Sequence, residues 1–309
     1  MKKEILFDLK SPYRNNFQIE GFRFGEGRKA VAVVGSMRGD EIQQQFICSQ
    51  LVKNLIEIED KGLLRKGVEI LVIPSVNHFS MNINKRFWAM DNTDINRMFP
   101  GYDRGETTQR IAAAIFDIIC RYRYGIHFAS FYIPGQFIPH VRVMDTGYQD
   151  LDLARSFGLP YVSVREPKAY DTTILNYNWQ IFGTQAFTVY SSDTDAINKD
   201  SAKMAWKSVL RFLAHHRIIK YDIHDGYDSE VIAERNLLSI KSDRGGILYM
   251  KHVANDEVRQ GDVLAEILDP YDGSVLSTVT APASGVIFFS LRSPLASQNT
   301  VIYRLIRYS

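Results

Sequence analysis

The amino-acid sequence predicts an α/β protein with a doubly wound, mostly parallel or mixed sheet, followed by a small C-terminal all-β domain. Two observations support this fold class. Short apolar runs alternate with helical patterns from about residue 30 to 216, and from about residue 240 short β runs separated by glycine turns replace them. Alternating strands and helices are typical of a sheet covered by helices on both faces. We therefore expect one domain over residues 1–225 and a second over residues 226–309.

Three apolar runs predict strands in the interior of that sheet, at Ala30–Val34, Val68–Ile73 and Ala186–Tyr190. None shows the regular apolar–polar alternation of a strand with one face in solvent, so each is expected to be buried on both faces. Residues 124–128 resemble the end of another such strand.

The segments between these runs carry apolar side chains at the 3.6-residue period, which predicts helices over residues 40–58, 106–122 and about 198–214. Asp40 and Glu41 are expected in the first turn of the first helix, where the helix dipole stabilises negative side chains. This explanation gives the two acidic residues a role in helix stability and no role in binding or catalysis.

The C-terminal part contains short β runs such as Val263–Ile267 and Val286–Phe289, punctuated by turn residues. The pattern resembles a biotinyl/lipoyl-like β-sandwich. Such a carrier domain needs a lysine at the tip of a hairpin, and the corresponding stretch, Ser277–Pro282, has none. We expect this domain to have a structural role.

Composition excludes several classes of partner. Lys and Arg number 37 and Asp and Glu 35, a net charge of +2 that gives no electrostatic reason to expect nucleic acid or an anionic membrane. No apolar run is long enough to span a bilayer, and the N-terminus does not resemble a secretory signal. Cys48 and Cys120 are expected to be small buried hydrophobes in a reducing cytoplasm. The composition leaves open whether the protein forms a homo-oligomer.

Candidate functional residues follow the strands, because ligands of α/β sheets bind at the carboxyl ends of the strands. The turn Gly35–Glu41 follows the first predicted strand, and the long segment 74–103 follows the second. Arg86 and Arg97 in that segment either form a bidentate clamp on a carboxylate or are solvated loop residues. His127 stands among apolar residues, where a histidine is more often hydrogen-bonded in the core than a ligand.

The segment Asp94–Gly101, which reads D-I-N-R-M-F-P-G, resembles the D-L-N-R-x-F-P-G motif of the succinylglutamate desuccinylase/aspartoacylase family, relatives of the zinc carboxypeptidases. Two further motifs agree in order and spacing. Gly35–Glu41 resembles the family's G-x-H-G-x-E turn, and Gly125–His127 stands where the D-L-H strand end is expected. The resemblance covers nearly the whole chain. It implies a zinc carboxypeptidase-like fold with a small β domain beside the active-site entrance.

Members of this family hydrolyse the amide bond of small acyl amino acids with one zinc ion, held by the His and Glu of the turn and by the later His. By position, Glu41 and His127 match two of these metal ligands. Arg86, Asn96 and Arg97 match the set that binds the substrate's carboxylate, and Arg86 is also a catalytic candidate for polarising the carbonyl. The implied partner is a small-molecule carboxylate.

The sequence departs from the family at three positions around the metal. Arg38 stands where the first His ligand should be, Gly125 where the Asp of D-L-H should be, and Tyr190 where the general-base Glu should be. A guanidinium offers no lone pair, and a phenol is a poor base at neutral pH. Zinc is therefore a doubtful cofactor, since two protein ligands bind it weakly. We expect the Arg38 head to reach Glu41 and to supply a built-in positive charge near the position of the zinc ion.

Two functions follow. The first is an amide hydrolase of a small N-acyl amino acid or related carboxylate, with a partly lost zinc site and reduced or altered activity. The alternative is a catalytically inactive carboxylate-binding pseudoenzyme on the same scaffold; an unrelated α/β protein with a chance motif is a third hypothesis. A hydrolase could recruit His78 or His140 as a third ligand and Asp193, Asp195 or Glu166 as a base.

Overall fold

The computed structural model of the chain describes residues 1–11, 15–193 and 196–308. These residues form two compact units, of which the larger contains most of the first three quarters of the chain. The larger unit comprises Met1–Ser130, Pro139–Ser191 and Asp195–Ile232. The smaller unit comprises Phe131–Ile138, Ser192–Thr194 and Ala233–Ser309.

The described residues contain six α-helices, all in the larger unit. They are α1 (Ile42–Asp60), α2 (His78–Met81), α3 (Thr107–Ile119), α4 (Leu151–Arg155), α5 (Leu175–Ile181) and α6 (Lys199–His215). The three helices predicted from the 3.6-residue period correspond to α1, α3 and α6. The long segment after the second predicted strand is not a plain loop, because it contains α2 and a 3₁₀ turn at Ile95–Arg97.

A nine-stranded sheet forms the centre of the larger unit, in the order β1-β2-β4-β3-β5-β9-β7-β8-β10. Its strands are β1 (Lys2–Leu9), β2 (Phe17–Phe24), β3 (Gly27–Ser36), β4 (Gly67–Ser75), β5 (Tyr124–Ala129), β7 (His140–Met144), β8 (Tyr161–Arg165), β9 (Gln185–Tyr190) and β10 (Glu230–Ala233). The inner strands β4, β3, β5 and β9 are parallel, while β1, β2 and β7 introduce antiparallel pairs. The sheet is therefore mixed, as the sequence predicts.

Helices cover both faces of this sheet, which confirms the doubly wound architecture. Strand β3 shows the arrangement, since Val31 and Val33 point into a core shared with α1 and α6. The alternate residues Ala32 and Val34 point into a second core shared with α3 and α5. Side chains on successive residues of a strand face opposite sides, and both sides here are apolar. The absence of polar alternation in the sequence has this origin.

The register of the parallel strands brings their carboxyl ends to one edge of the sheet. Ser36 of β3 pairs with Ser75 of β4, and Val34 pairs with His127 of β5. Ala129, near the end of β5, pairs with Tyr190 at the end of β9. Residues that follow these four strands are therefore neighbours in space, although they lie far apart in the sequence.

The smaller unit is all-β and contains two sheets. One sheet has the order β11-β18-β16-β13, with β6 pairing with β16, and the other has the order β15-β14-β12-β17. The strands are β6 (Gly135–Phe137), β11 (Leu238–Lys241), β12 (Gly246–Met250), β13 (Glu257–Val258), β14 (Val263–Leu268), β15 (Val275–Thr280), β16 (Gly285–Leu291), β17 (Leu295–Ala296) and β18 (Val301–Arg307). The two runs predicted as strands correspond to β14 and β16.

In the part of the chain that the structure describes, no helix is long and apolar enough to cross a membrane. Both cysteines are free thiols. Cys48 is fully buried in α1, as expected, and burial raises the pKa of its thiol. Cys120 is only half-buried, because it lies at the C-terminal end of α3 rather than on its apolar face.

Candidate active site

The turn after β3 packs closely against the segment that follows β4. A Cβ atom at Gly35 would lie 2.1 Å from the carbonyl oxygen of Pro74, and one at Gly39 would lie 2.2 Å from the carbonyl oxygen of Lys85. Any other residue at either position would have to displace backbone atoms, so glycine is required at both. The turn is thereby held in one place, and the side chains between the two glycines are positioned with it.

Glu41 lies immediately before α1, which begins at Ile42, and not in the first helical turn as expected. Its side chain makes no N-cap hydrogen bond with the helix. One carboxylate oxygen instead accepts hydrogen bonds from the backbone N–H groups of Met37 (2.8 Å) and Arg38 (3.0 Å). The other accepts a hydrogen bond from the hydroxyl of Ser130. The turn itself therefore binds this fully buried carboxylate.

Arg38 lies between two carboxylates. Its Nη1 donates to Glu41 Oε1 at 3.0 Å, which confirms the contact expected from their spacing. Its Nη2 and Nε donate to Asp94 Oδ2 at 2.8 and 3.2 Å. Sequence reasoning missed Asp94 as a partner, although this residue begins the D-I-N-R motif. Its other oxygen caps the following 3₁₀ turn by accepting from the N–H of Asn96.

These contacts fix the charge states of the pair. Burial alone would lower the pKa of Arg38, but Glu41 and Asp94 outweigh it and raise that pKa above its ordinary value. Burial alone would raise the pKa of Glu41, but Arg38 and the hydrogen bond from Ser130 lower it. The expectation that Arg38 supplies a spare positive charge is wrong, because two carboxyl groups already compensate this one guanidinium. Attraction of an anionic ligand must come from other residues.

His127 lies near the carboxyl end of β5 and is 2% exposed. Burial lowers the pKa of His127 to about 4, although Glu41 opposes the shift. The imidazole is therefore neutral at pH 7, and its Nε2 has no hydrogen-bond partner among the described residues. A neutral imidazole is the form that binds metal ions. In the described part of the chain, however, no group of three or more His, Cys, Asp or Glu residues is placed to hold a metal ion.

The histidines considered as a third ligand are engaged in ring contacts. His78 stacks on Phe17, with ring centroids 4.8 Å apart. His140 stacks on Tyr190 at 4.9 Å with parallel rings. Neither completes a metal-binding group with Glu41 and His127 among the described residues.

The residues considered as a replacement base are Asp193, Asp195 and Glu166. Asp193 belongs to the smaller unit, where it forms an ion pair with Arg292. Glu166 is exposed and follows β8. Asp195 lies outside the described residues.

Gly125 is the residue that the sequence resemblance matches to the family's Asp, and the indole of Trp179 occupies the adjoining space. A Cβ atom at Gly125 would lie 2.7 to 2.9 Å from three ring atoms of Trp179, which is fully buried in α5. Real Cβ atoms essentially never approach other atoms so closely. A carboxylate side chain at this position would require the indole to move, so the loss of the Asp and the presence of the Trp are linked by volume.

Tyr190 at the base position is also built into its surroundings. Its hydroxyl accepts a hydrogen bond from Nη1 of Arg142. The guanidinium carbon of Arg142 lies 4.2 Å from the centroid of the tyrosine ring, an arrangement that favours a cation–π interaction. His140 covers the ring by stacking. A phenol is a poor substitute for a carboxylate as a general base, because phenols are ordinarily protonated at neutral pH.

The predicted carboxylate-binding residues have separate partners. Arg86 donates to Asp40 Oδ2 at 2.6 Å and to the hydroxyl of Ser130 at 3.4 Å. Burial raises the pKa of Asp40, and Arg86 opposes this shift. Arg97 donates to the carbonyl oxygen of Tyr170 at 2.8 Å. The two arginines are thus not assembled in advance as a clamp on one carboxylate.

Asn96 has a structural contact of its own. Its side-chain oxygen accepts a hydrogen bond from the N–H of Leu175 at the start of α5, at 3.3 Å. The side chain is mostly buried, with 8% of the residue exposed. Asn96 therefore ties the D-I-N-R motif to α5, whatever further contact it makes with a ligand.

Comparisons with known proteins agree with this architecture. Residues 27–229 match the succinylglutamate desuccinylase/aspartoacylase catalytic domain. An N-alpha-acetyl-L-2,4-diaminobutyric acid deacetylase from Halomonas elongata is 22% identical over 266 residues, which span 79% of this chain and 72% of that protein.

Solved structures show the same fold. A succinylglutamate desuccinylase from Silicibacter sp. TM1040 superposes with a TM-score of 0.81 at 18% identity, covering 94% of this chain and 89% of that one. The product-bound ectoine utilization protein EutE (DoeB) from Ruegeria pomeroyi has a TM-score of 0.79 at 16% identity, covering 95% and 90%. The relatives from Halomonas elongata and Silicibacter are named as a deacetylase and a desuccinylase, and the family match spans well over half of the chain. This protein therefore belongs to the succinylglutamate desuccinylase/aspartoacylase family of amide hydrolases.

Proposed function

We propose that this protein binds a small N-acyl amino acid or related carboxylate on the hydrolase scaffold and has lost zinc-dependent cleavage of the amide bond. One observation carries the proposal. The guanidinium of Arg38, which by the sequence resemblance matches the family's first histidine ligand, is held by Glu41 and Asp94. A guanidinium has no lone pair to offer a metal ion, and its charge repels a divalent cation.

The other two departures support the same conclusion. Zinc would also need its surrounding carboxylates, and the space beside Gly125 is filled by Trp179. A phenol is a poor general base near neutral pH, and the hydroxyl of Tyr190 accepts a hydrogen bond from Arg142. The residues present therefore do not fit the family's zinc centre, and no step of a reaction is assigned to it.

Carboxylate binding rests on Arg97. Its side chain is 41% exposed, and the nearest carboxylate oxygen, on Asp94, is 3.8 Å from its Nε and already bound by Arg38. Arg97 therefore keeps donors for an external carboxylate, and a guanidinium binds such a group through two parallel hydrogen bonds. The deacetylase from Halomonas elongata acts on an N-acetylated amino acid, which supports this class of ligand.

Zinc content and hydrolysis test the proposal directly. We expect protein purified without chelator to hold far less than one zinc ion per chain and to release no acetate from N-acetyl amino acids. Calorimetry should nevertheless detect saturable binding of the same compounds. Stoichiometric zinc together with acetate release would overturn the proposal, as would acetate release that persists in a chelator.

Two variants locate the functional residues. Arg38→His should raise the affinity for zinc, and an unchanged affinity would contradict the assignment of this turn.

Arg97→Ala should weaken carboxylate binding by about tenfold or more, because charge-assisted hydrogen bonds contribute roughly 1.5–3 kcal/mol. Arg104→Ala, at an exposed arginine in a nearby loop, is the matched control. Equal binding by the two alanine variants would remove Arg97 from the site.

A further inference from the structure

We propose that Lys168, which lies beside the same Tyr170 ring as Arg97, forms a second anion subsite that selects ligands carrying another negative group besides the amino-acid carboxylate that Arg97 binds. Lys168 is the residue that determines this specificity. The inference rests on the proposed function, because it concerns the same ligand. The negative group is a carboxylate or a phosphate ester, both of which a lysine and an arginine bind.

The backbone around Lys168 is fixed by a buried carboxylate. Asp171 is 4% exposed, and its Oδ2 accepts a hydrogen bond from the N–H of Lys168 at 3.1 Å. The same oxygen accepts from Nη2 of Arg165 at 2.9 Å, which neutralises the carboxylate. The segment between β8 and α5 is therefore an ordered turn, and the lysine side chain extends from a fixed point.

This turn is also attached to the D-I-N-R-M-F-P-G segment. The N–H of Phe99 donates to the carbonyl oxygen of Thr173 at 3.0 Å. The side-chain amide of Asn178 donates to the carbonyl oxygens of Thr172 (2.9 Å) and Phe99 (3.2 Å). These bonds set the position of Lys168 relative to Arg97, although the two residues are distant in sequence.

Both cations lie beside one exposed aromatic ring. The guanidinium carbon of Arg97 is 5.7 Å from the ring centroid of Tyr170, and the ammonium of Lys168 is 5.9 Å from it. The ring is accessible, since Tyr170 is 53% exposed. Its backbone oxygen holds Arg97 by accepting from Nη1 at 2.8 Å. Tyr170 thus places two positive charges at a surface that a ligand can reach.

The charges of these two residues are less compensated than those of the neighbouring arginines. Arg38, Arg86 and Arg165 each have a carboxylate within 3.0 Å. The only described carboxylate within 4.0 Å of Arg97 is the one that Arg38 already binds. Lys168 has no described carboxylate within 4.0 Å. An anionic group of the ligand would supply the missing counter-charge.

Calorimetric titrations with matched ligands test the subsite. N-acetylglutamate is compared with N-acetylglutamine, and N-acetyl-O-phosphoserine with N-acetylserine, so that the negative group is the main difference within each pair. Wild-type protein should bind the anionic member of at least one pair about two- to fivefold more tightly, the range expected for exposed ion pairs. The pair that shows the preference identifies the carboxylate or the phosphate ester as the group bound.

Lys168→Gln should abolish that preference and leave the affinity for the neutral ligand unchanged. Lys203→Gln, at an exposed lysine on α6, is the control and should preserve the preference. Equal wild-type affinity within both pairs, or equal weakening of both members of a pair by Lys168→Gln, would overturn the subsite while leaving carboxylate binding intact. Failure of wild-type protein to bind any of the four compounds would instead contradict the proposed function itself.

Discussion

Two sets of positions in the larger unit contrast with each other: those where the sequence departs from the family pattern and those where it keeps it. The departures, Arg38, Gly125 and Tyr190, are each matched by a buried partner. The guanidinium has two carboxylates, the missing side chain is replaced by an indole, and the phenol has its own guanidinium. Each change has therefore been accommodated by its surroundings.

The retained arginines are more open to solvent. The side chain of Arg97 is 41% exposed and that of Arg86 is 24% exposed, compared with 8% for Arg38. The part of a hydrolase site that binds the metal ion can therefore change while the part that binds the substrate's carboxylate is kept. On the proposed function, the part that would hold a metal ion and a base is closed by packing within the protein, whereas Arg97 keeps an exposed guanidinium for the substrate's carboxylate.

The largest expected effect is a difference in the free energy of unfolding between two matched variants. Arg38→Met should lower the free energy of unfolding by about 3–5 kcal/mol, because it leaves the buried carboxylate of Glu41 without its cation. Arg97→Met should lower it by at most about 1 kcal/mol, as expected for an exposed ion pair and cation–π contact. Urea unfolding monitored by circular dichroism measures both. Equal losses would show that Arg38 is not a structural cation and would remove the contrast.

A second test concerns Gly125 and Trp179. Gly125→Ala should lower the free energy of unfolding by up to about 3 kcal/mol, because the added methyl group overlaps the indole. Combining it with Trp179→Phe, a smaller ring, should cost less than the sum of the two single changes. Thermal and urea unfolding of all three variants provide the coupling energy. If the effects of the two single changes simply add, the indole does not occupy the space beside Gly125.

The smallest expected effect is the change in the free energy of unfolding with pH. The pKa of His127 is near 6.5 in the unfolded chain and about 4 in the folded protein, so between these values the unfolded state binds the extra proton. Stability must therefore fall as the pH is lowered through this window, by about 2 kcal/mol between pH 8 and pH 5. Glu41, whose pKa is lowered, adds a further loss only as the pH falls below about 4.5.

Urea unfolding at several pH values measures this loss, and His127→Gln provides the comparison. The glutamine variant should show a flatter dependence between pH 8 and pH 5, because the titrating group is gone. An identical dependence in both proteins would place the histidine in contact with solvent, outside the closed half of the site.

Much of the fold could be predicted from local patterns. The central parts of strands β3, β4 and β9 are mostly apolar because helices cover both faces of the sheet, and helices α1, α3 and α6 follow the 3.6-residue period. The N-terminal hairpin of β1 and β2 was not predicted. Both strands contain charged residues, β1 lies at the edge of the sheet, and the two resemble surface segments when read alone.

The site was only partly predictable. The ion pair of Arg38 with Glu41 follows from three-residue spacing, which the turn preserves. Asp94 as the second partner, Trp179 beside Gly125 and Arg142 beside Tyr190 depend on contacts between distant segments, which no local pattern encodes. Expecting a free positive charge at Arg38 was wrong for the same reason, since the compensating carboxylate lies 56 positions away.

The fit of Trp179 against Gly125 also has an evolutionary consequence. A side chain at one position excludes an indole at the other, so the two sites cannot change independently. Sister proteins should accordingly divide into two lineages, one with an acidic residue at the strand position and a smaller residue on the helix, the other with the Gly–Trp combination. Ancestral reconstruction along the branch between them would reveal which substitution came first.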